Sequence, residues 1–279
     1  MDRTVLITGS SSGIGRATAE AFLDEEWRVY ATARNPADVQ TLGDREGCTV
    51  ATLDVTDDDD VVRVVERVVD ETGRIDCLVN NAGFGQFGPV EDVPVETVRR
   101  QFDVNAFGPH RLTRAVLPHM REREDGTIVN VSSVAGRVAF PGAGAYCGSK
   151  FALEAMSDAL RAEVRGKGID VVVIEPGPVE TNFRERAERE VTDDGETPAV
   201  ERSGAYDRFY ELFEDAQLLG GDGPGSIPPE RVAADVVNAA SATKPRARYQ
   251  TGTLARVGVL GRFVPDAMRD AAFGLLDRI

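Results

Sequence analysis

The chain has 279 residues and a formal net charge of −15, and only Lys150, Lys167 and Lys244 are lysines among its 32 basic residues. Nucleic acids and anionic membranes attract basic patches, so this composition argues against both as partners. It resembles that of halophilic archaeal proteins and predicts a protein that works at high salt, where repulsion between carboxylates is screened within a few ångströms. The length suits one large α/β domain, and no linker-like composition divides it.

Short apolar runs alternate with helical patterns along the chain: TVLIT, RVYATA, DCLVN, TIVNVS and DVVVIE. This alternation predicts a doubly wound parallel sheet with helices on both faces, the Rossmann fold, in a single domain over residues 1–279. No run approaches ~20 uninterrupted apolar residues, and no basic-then-apolar leader precedes the first strand. We therefore expect a soluble, cytoplasmic protein.

The first predicted strand, residues 4–8, leads into a glycine-rich turn and then into the helical stretch RATAEAFLDE. Glycines permit tight turning and close backbone approach, and the free N–H groups at the start of a helix bind phosphate. The spacing G-x-x-x-G-x-G differs from G-x-G-x-x-G, so the similarity to that fingerprint is one of mechanism. The residues predicted to hold a dinucleotide here are Gly9, Ser10, Ser11, Gly13, Ile14 and Gly15.

Tyr146 and Lys150 stand four residues apart, and Ser133 precedes the tyrosine by thirteen. Positions i and i+4 share one helix face, so the ammonium group can lie beside the phenol. A neighbouring cation favours phenolate and lowers the pKa of the phenol from about 10 toward neutrality. Such a tyrosine can give or take a proton at a carbonyl or alcohol oxygen. By itself this pair fits an ordinary surface helix equally well.

Six motifs follow one another along the chain: TGSSSGIG at 8–15, NNAG at 80–83, Asn105, Ser133, YCGSK at 146–150 and PGPVET at 176–181. In their order and spacing they resemble the short-chain dehydrogenase/reductase family, and the resemblance covers residues 3–183. Within the family the chain is similar to the branch of 17β-hydroxysteroid and retinol dehydrogenases. This similarity does not identify a steroid as the substrate. The resemblance implies interconversion of a ketone or aldehyde and its alcohol by hydride transfer to or from a nicotinamide.

The resemblance also implies the catalytic roles. Tyr146 is the acid/base, and Lys150 lowers its pKa and binds the nicotinamide ribose. Ser133 helps to hold the carbonyl oxygen, and Asn105 anchors a water that links Lys150 to solvent. Ser132 is expected to point to the face of the strand opposite to Ser133. The spacing to the tyrosine also selects Ser133.

Cofactor choice is predicted at the end of the second strand. NAD-using relatives carry a carboxylate at the position of Ala33, and here Arg34 follows. The absence of the carboxylate and the presence of a cation favour NADP(H), with NAD(H) as a second option. An ordinary solvated arginine is the alternative interpretation, and Ser10 or Ser11 could add a hydroxyl donor. The resemblance implies further cofactor contacts from Asp54, Asn81, Ala82, Gly83, Pro176, Gly177, Val179 and Thr181, besides Tyr146 and Lys150.

The segments around the predicted site suggest a largely apolar carbonyl or alcohol substrate, because residues 137–145 are small and apolar. Residues 182–228 are predicted to form a substrate lid, or else a solvated surface helix. Residues 251–279 are predicted to form a C-terminal helical extension. The helices that begin near Pro94 and Ala145 resemble subunit contacts of the family, which implies a homodimer or homotetramer.

No metal site is expected. The three cysteines form no C-x-x-C pair, and the acidic run at 57–60 fits a helix start better than a cation site. Two other functions stay open. One is epimerisation or dehydration with a retained dinucleotide, and the other is a non-enzymatic dinucleotide-binding interaction protein. Relatives of the second kind typically lose the tyrosine or the lysine, and both are present here.

Overall fold

A computed structural model describes residues 3–181, 202–208, 210, 223 and 225–276. In this part of the chain seven parallel strands form one sheet, in the order β3-β2-β1-β4-β5-β6-β7. The predicted doubly wound parallel sheet is therefore confirmed. The strands are β1 Thr4–Ile7, β2 Arg28–Ala33, β3 Cys48–Thr52, β4 Cys77–Asn80, β5 Gly126–Val131, β6 Ile169–Pro176 and β7 Arg248–Thr251.

Helices connect the strands and cover both faces of the sheet. Among the described residues, none of them is long and apolar enough to cross a membrane. The α-helices are α1 Gly13–Asp24, α2 Gln40–Gly43, α3 Asp58–Thr72, α4 Val95–Phe102, α5 Gly108–Arg123, α6 Gly144–Glu163, α7 Pro229–Ser241, α8 Thr253–Gly258 and α9 Asp266–Leu276. Shorter 3-10 turns cover Pro36–Val39, Val134–Gly136 and Val259–Phe263, and a π-helical turn covers Asp103–Phe107.

The core consists of two apolar layers, one on each face of the sheet. Strand β1 shows how they arise, because Val5 and Ile7 belong to one layer and Leu6 to the other. Phe22 of α1 and Val236 of α7 complete the first layer. The second layer is completed by residues of α3, α5 and α6: Val61, Val64, Val65, Val68, Leu112, Val116, Met120 and Leu160.

The strand order reverses beside β1, which pairs with β2 on one side and with β4 on the other. In parallel sheets of this kind the loops at the carboxyl ends diverge at such a point and open a crevice. The glycine-rich turn follows β1, and Asn81 follows β4. The fold therefore brings two of the predicted motifs to the same crevice.

The C-terminal part differs from the sequence-based expectation. Strand β7, Arg248–Thr251, was not predicted, because RYQT is too short and too polar to stand out. It lies at the sheet edge beside β6, where one unpaired side tolerates such a sequence. The predicted extension over 251–279 starts two residues later, at Thr253, after Gly252 with a φ of 94°. Most of the predicted lid, 182–201 and 211–222, lies outside the described residues.

Candidate active site

The glycine-rich turn packs against the loop after β4 without room for side chains. A Cβ on Gly9 would come 2.8 Å from Ala82 Cα, and one on Gly15 would clash with Gly9 O and Asn81 Nδ2. The Asn81 side-chain amide donates to the carbonyl oxygens of Thr8 and Gly9, both at 3.0 Å. The bare backbone at the start of α1 fits the close approach of a dinucleotide pyrophosphate.

The two serines of this turn occupy different environments. Ser10 is fully buried, its hydroxyl donates to Ile7 O at 3.3 Å, and its N–H donates to Thr32 O at 2.8 Å. Its hydroxyl and its N–H thus bond to the sheet, and the cofactor contact expected of Ser10 stays a prediction. Ser11 and Ile14 are half-buried, and their cofactor contacts stay predictions.

Two further predicted residues lie at the same edge of the sheet. Arg34 is exposed and directly follows Ala33, the last residue of β2. Asp54 follows β3, and its Oδ1 accepts from the N–H and the hydroxyl of Thr56 at 2.9 and 2.7 Å. These bonds fix the Asp54 carboxylate at the end of the strand next to the one that carries Arg34.

The segment after β6 lies above the glycine-rich turn. Val179 forms a parallel bridge with Ile227, and a Cβ on Gly13 would meet the Thr181 methyl at 3.0 Å. Pro176 is the last residue of β6, and Gly177 N–H donates to Thr251 O at 3.1 Å. The fold thus places the predicted nicotinamide segment over the predicted phosphate turn.

Asn105 lies in the π-helical turn, a local widening that often marks functional sites. Its fully buried side chain accepts from Phe84 N–H at 3.1 Å and donates to Phe84 O at 2.8 Å and to Ser149 Oγ at 3.0 Å. A Cβ on Gly83 would lie 3.0 Å from Asn105 Oδ1 and 3.7 Å from Lys150 Nζ. Asn105 therefore anchors the loop after β4 beside the lysine, and its water-binding role stays a prediction.

The fold brings together the three predicted reacting side chains. Tyr146 and Lys150 lie on buried positions of α6, with Lys150 Nζ 5.9 Å from the centre of the tyrosine ring. Ser133 forms a hydrogen bond with the Tyr146 side chain and accepts from Ala135 N–H at 3.1 Å. The Phe87 ring packs edge-on against Tyr146 with 5.7 Å between ring centres. Sequence reasoning missed this contact, since nothing in the pattern singles out Phe87.

The protonation of this pair differs from the expectation. Burial raises the pKa of Tyr146 to about 12, and the hydrogen bond with Ser133 only partly opposes this. Burial lowers the pKa of Lys150 to about 8, against the nearby charge of Glu154. In both residues burial, which disfavours the charged form, is the largest cause of the shift in pKa. The direction of the Tyr146 pKa shift favours the protonated phenol, which is the form that can act as an acid.

The C-terminal segment lies against the turn that follows Ser133. Cβ atoms on Gly258 and Gly261 would come 3.3 Å from the side chains of Val134 and Val138, respectively. The segment over 253–263 thus packs against the residues that follow Ser133.

The chain is similar to known oxidoreductases in both sequence and fold. The family model described as short chain dehydrogenase matches residues 3–192. The uncharacterized Escherichia coli oxidoreductase YbbO is 37% identical, over 97% of this chain and 93% of its own. The NADPH-dependent 3-dehydrocapnine reductase of Ornithobacterium rhinotracheale is 33% identical, over 97% and 96%. A crystal structure of a short-chain dehydrogenase from Streptomyces avermitilis has a TM-score of 0.80 at 33% identity, covering 98% of this chain and 96% of its own.

Proposed function

Because the chain belongs to the short-chain dehydrogenase/reductase family, we propose that this oxidoreductase reduces a ketone or aldehyde to its alcohol with NADPH. The observation that carries the proposal is the buried tyrosine, whose side chain lies beside those of Ser133 and Lys150. A carbonyl reductase needs such an acid at the oxygen that becomes negative. The reverse oxidation would run through the same residues.

NADP(H) is proposed as the preferred cofactor, with NAD(H) as the weaker one. The exposed Arg34 offers a fixed cation where a 2′-phosphate would lie, and Ala33 removes the carboxylate that would repel it. A relative of this chain is named as NADPH-dependent. The glycine-rich turn, Asp54, and the residues 81–83 and 176–181 would hold the rest of the dinucleotide.

The chain's own residues would provide orientation and a proton. Bound NADPH supplies the hydride for the carbonyl carbon. Ser133 Oγ accepts from Ala135 N–H, so its own hydrogen can be donated to the substrate carbonyl oxygen. Tyr146 then gives its proton to that oxygen as negative charge develops. The Lys150 ammonium stabilises the phenolate that is left behind.

The substrate is proposed to be largely apolar. The Phe87 ring packs on Tyr146, and Val134 and Val138, which follow Ser133 in the chain, contact the C-terminal segment. Apolar walls with few polar groups favour ligands of the same character. We further propose that the enzyme works as a homodimer or homotetramer in a salt-rich cytoplasm. The exposed Phe107 and Phe151 and the acidic composition support this.

The test is an NADPH-oxidation assay in molar salt with aliphatic, aromatic and polycyclic carbonyls. Tyr146→Phe should lower kcat by about 10²–10⁴-fold, the usual contribution of a positioned acid, and leave NADPH binding intact. Tyr30→Phe is the matched control, because Tyr30 is equally buried but hydrogen bonds Glu71 on α3. Equal activity of Tyr146→Phe and wild type would remove the proposed acid. Bound dinucleotide without net NADPH oxidation across the panel would favour epimerisation or dehydration instead.

A further inference from the structure

A buried ionic cluster, formed by Arg137, Glu154, Glu175 and Arg248, lies behind the reacting residues. Glu175 is fully buried and Glu154 nearly so. One Arg137 terminal nitrogen lies 3.1 Å from Glu175 Oε1 and 3.7 Å from Glu154 Oε2. Arg248 lies 3.0 Å from the same two oxygens. Each cation therefore bridges both anions.

Two buried carboxylates this close together need both arginines. Their charges repel each other, and burial has removed their hydration. If one arginine were removed, this loss of hydration would no longer be compensated. Arg248 is also bound by the half-exposed Asp158 at 2.7 Å, and Gln250 donates to Glu175 Oε2 at 2.5 Å. Among the described residues, the ion pairs of Arg137 are those with Glu154 and Glu175, and these two glutamates determine its position.

The cluster is joined directly to the catalytic residues. Ser133 and Arg137 flank the 3-10 turn Val134–Gly136, and Arg137 N–H donates to Val134 O at 2.9 Å. Glu154 lies one helical turn after Lys150 on α6. Ser133 and Lys150 are therefore each four residues away in sequence from a member of the cluster, Arg137 and Glu154, respectively.

Gly136 shows how closely the turn is seated on α6. A Cβ there would lie 2.6 Å from Ser132 Oγ, 3.0 Å from Glu154 Cγ and 3.1 Å from Lys150 O. Ser132 thus faces the cluster, while Ser133 faces Tyr146. The two neighbouring serines differ in what they contact.

We infer that Arg137 is a positioning residue, whose ion pairs with Glu154 and Glu175 fix the turn on α6 so that Ser133 meets Tyr146. The kinetic part of this inference rests on the proposed carbonyl reduction. A turn released from the glutamates moves the serine out of line with the acid. Misplacement of a reacting group by about 1 Å can cost 100-fold in rate.

The first test measures kcat at saturating NADPH and carbonyl for Arg137→Gln. We expect kcat to fall at least tenfold while the Kd of NADPH, followed by its fluorescence, changes less than twofold. Arg137→Lys keeps one cation and should regain part of kcat. Arg45→Gln is the matched control, because it removes a surface ion pair, with Asp24, and should leave kcat unchanged. An unchanged kcat in Arg137→Gln, or a parallel loss of NADPH affinity, would overturn the inference.

The second test does not need turnover. Crystal structures of wild type and Arg137→Gln with NADP⁺ should show the Ser133–Tyr146 hydrogen bond in the first and a separation above 3.5 Å in the second. An intact bond in the variant would contradict the positioning role even if kcat fell. Should wild type reduce no carbonyl, the proposed function fails, and this comparison still decides the role of Arg137. If Arg137→Gln does not fold, Arg137→Lys is examined in the same two ways.

Discussion

Arg34 is the residue on which the choice between the two dinucleotides depends. It is exposed at the end of β2, next to Ala33, where an NAD-specific carboxylate would stand. A hydrogen bond to a charged group contributes about 1.5–3 kcal/mol. Arg34→Ala should therefore raise the Kd of NADPH about 10–100-fold and leave that of NADH nearly unchanged.

The measurement is fluorescence titration of both nucleotides, with Arg28→Ala as the control. Arg28 is exposed at the opposite end of the same strand, so its removal should affect neither nucleotide. A comparable loss of affinity for NADPH and NADH in Arg34→Ala would refute the phosphate contact.

For individual residues, the sequence predicted which side chains lie together but not how their pKa values are shifted. The spacing of Tyr146 and Lys150 defined their common helix face, and the thirteen-residue step located Ser133. Burial raises the pKa of the phenol and lowers that of the amine. This burial depends on packing from other elements of the fold. Glu175 illustrates the same limit, because it lies in an apolar strand run and its partners Arg137 and Arg248 are 38 and 73 residues away.

Helix α3 depends on its first residues. The Asp57 carboxylate accepts from the N–H groups of Asp59 and Asp60 at 2.8 and 3.0 Å, at the helix start that the acidic run 57–60 predicted. Loss of such a cap costs about 1 kcal/mol. Asp57→Ala should lower the free energy of unfolding in guanidinium chloride by that amount, while Asp57→Asn, which keeps a cap oxygen, should remain close to wild type. Equal stability of all three proteins would mean that the following acids suffice.

Helices and strands with a clear period of apolar residues were predictable, and elements that depend on tertiary packing were not. The apolar strands and α1, α3 and α6 follow from their patterns. The π-helical turn does not, because its widening depends on Asn105 reaching Phe84 and Ser149. Strand β7 is held by pairing with β6 rather than by its own composition.

For the whole molecule, alternating strands and helices were enough to predict a doubly wound sheet, because parallel strands need crossover helices. The position of the crevice then follows from the strand order at β1, and the motifs at the carboxyl ends meet there. The packing of 253–263 over the turn after Ser133 could not be foreseen, since it depends on the small residues Gly258 and Gly261 fitting against two valines.

The charge of the whole molecule gives the last prediction. A net charge of −15 destabilises the compact state through self-repulsion, and salt screens this repulsion. Tm should rise by about 5 °C or more between 0.2 and 2 M KCl, which corresponds to roughly 2 kcal/mol for a chain of this size. Differential scanning calorimetry at fixed pH measures this shift.

A charge-reduced variant separates screening from general salting-out. The exposed Glu25, Asp44, Glu46 and Asp70 are changed to their amides, which brings the net charge from −15 to −11. If repulsion is the cause, this variant has the higher Tm at 0.2 M KCl and gains less from added salt. If both proteins respond equally to KCl, the acidic surface is not what makes the fold depend on salt, because a purely hydrophobic response would be the same for both.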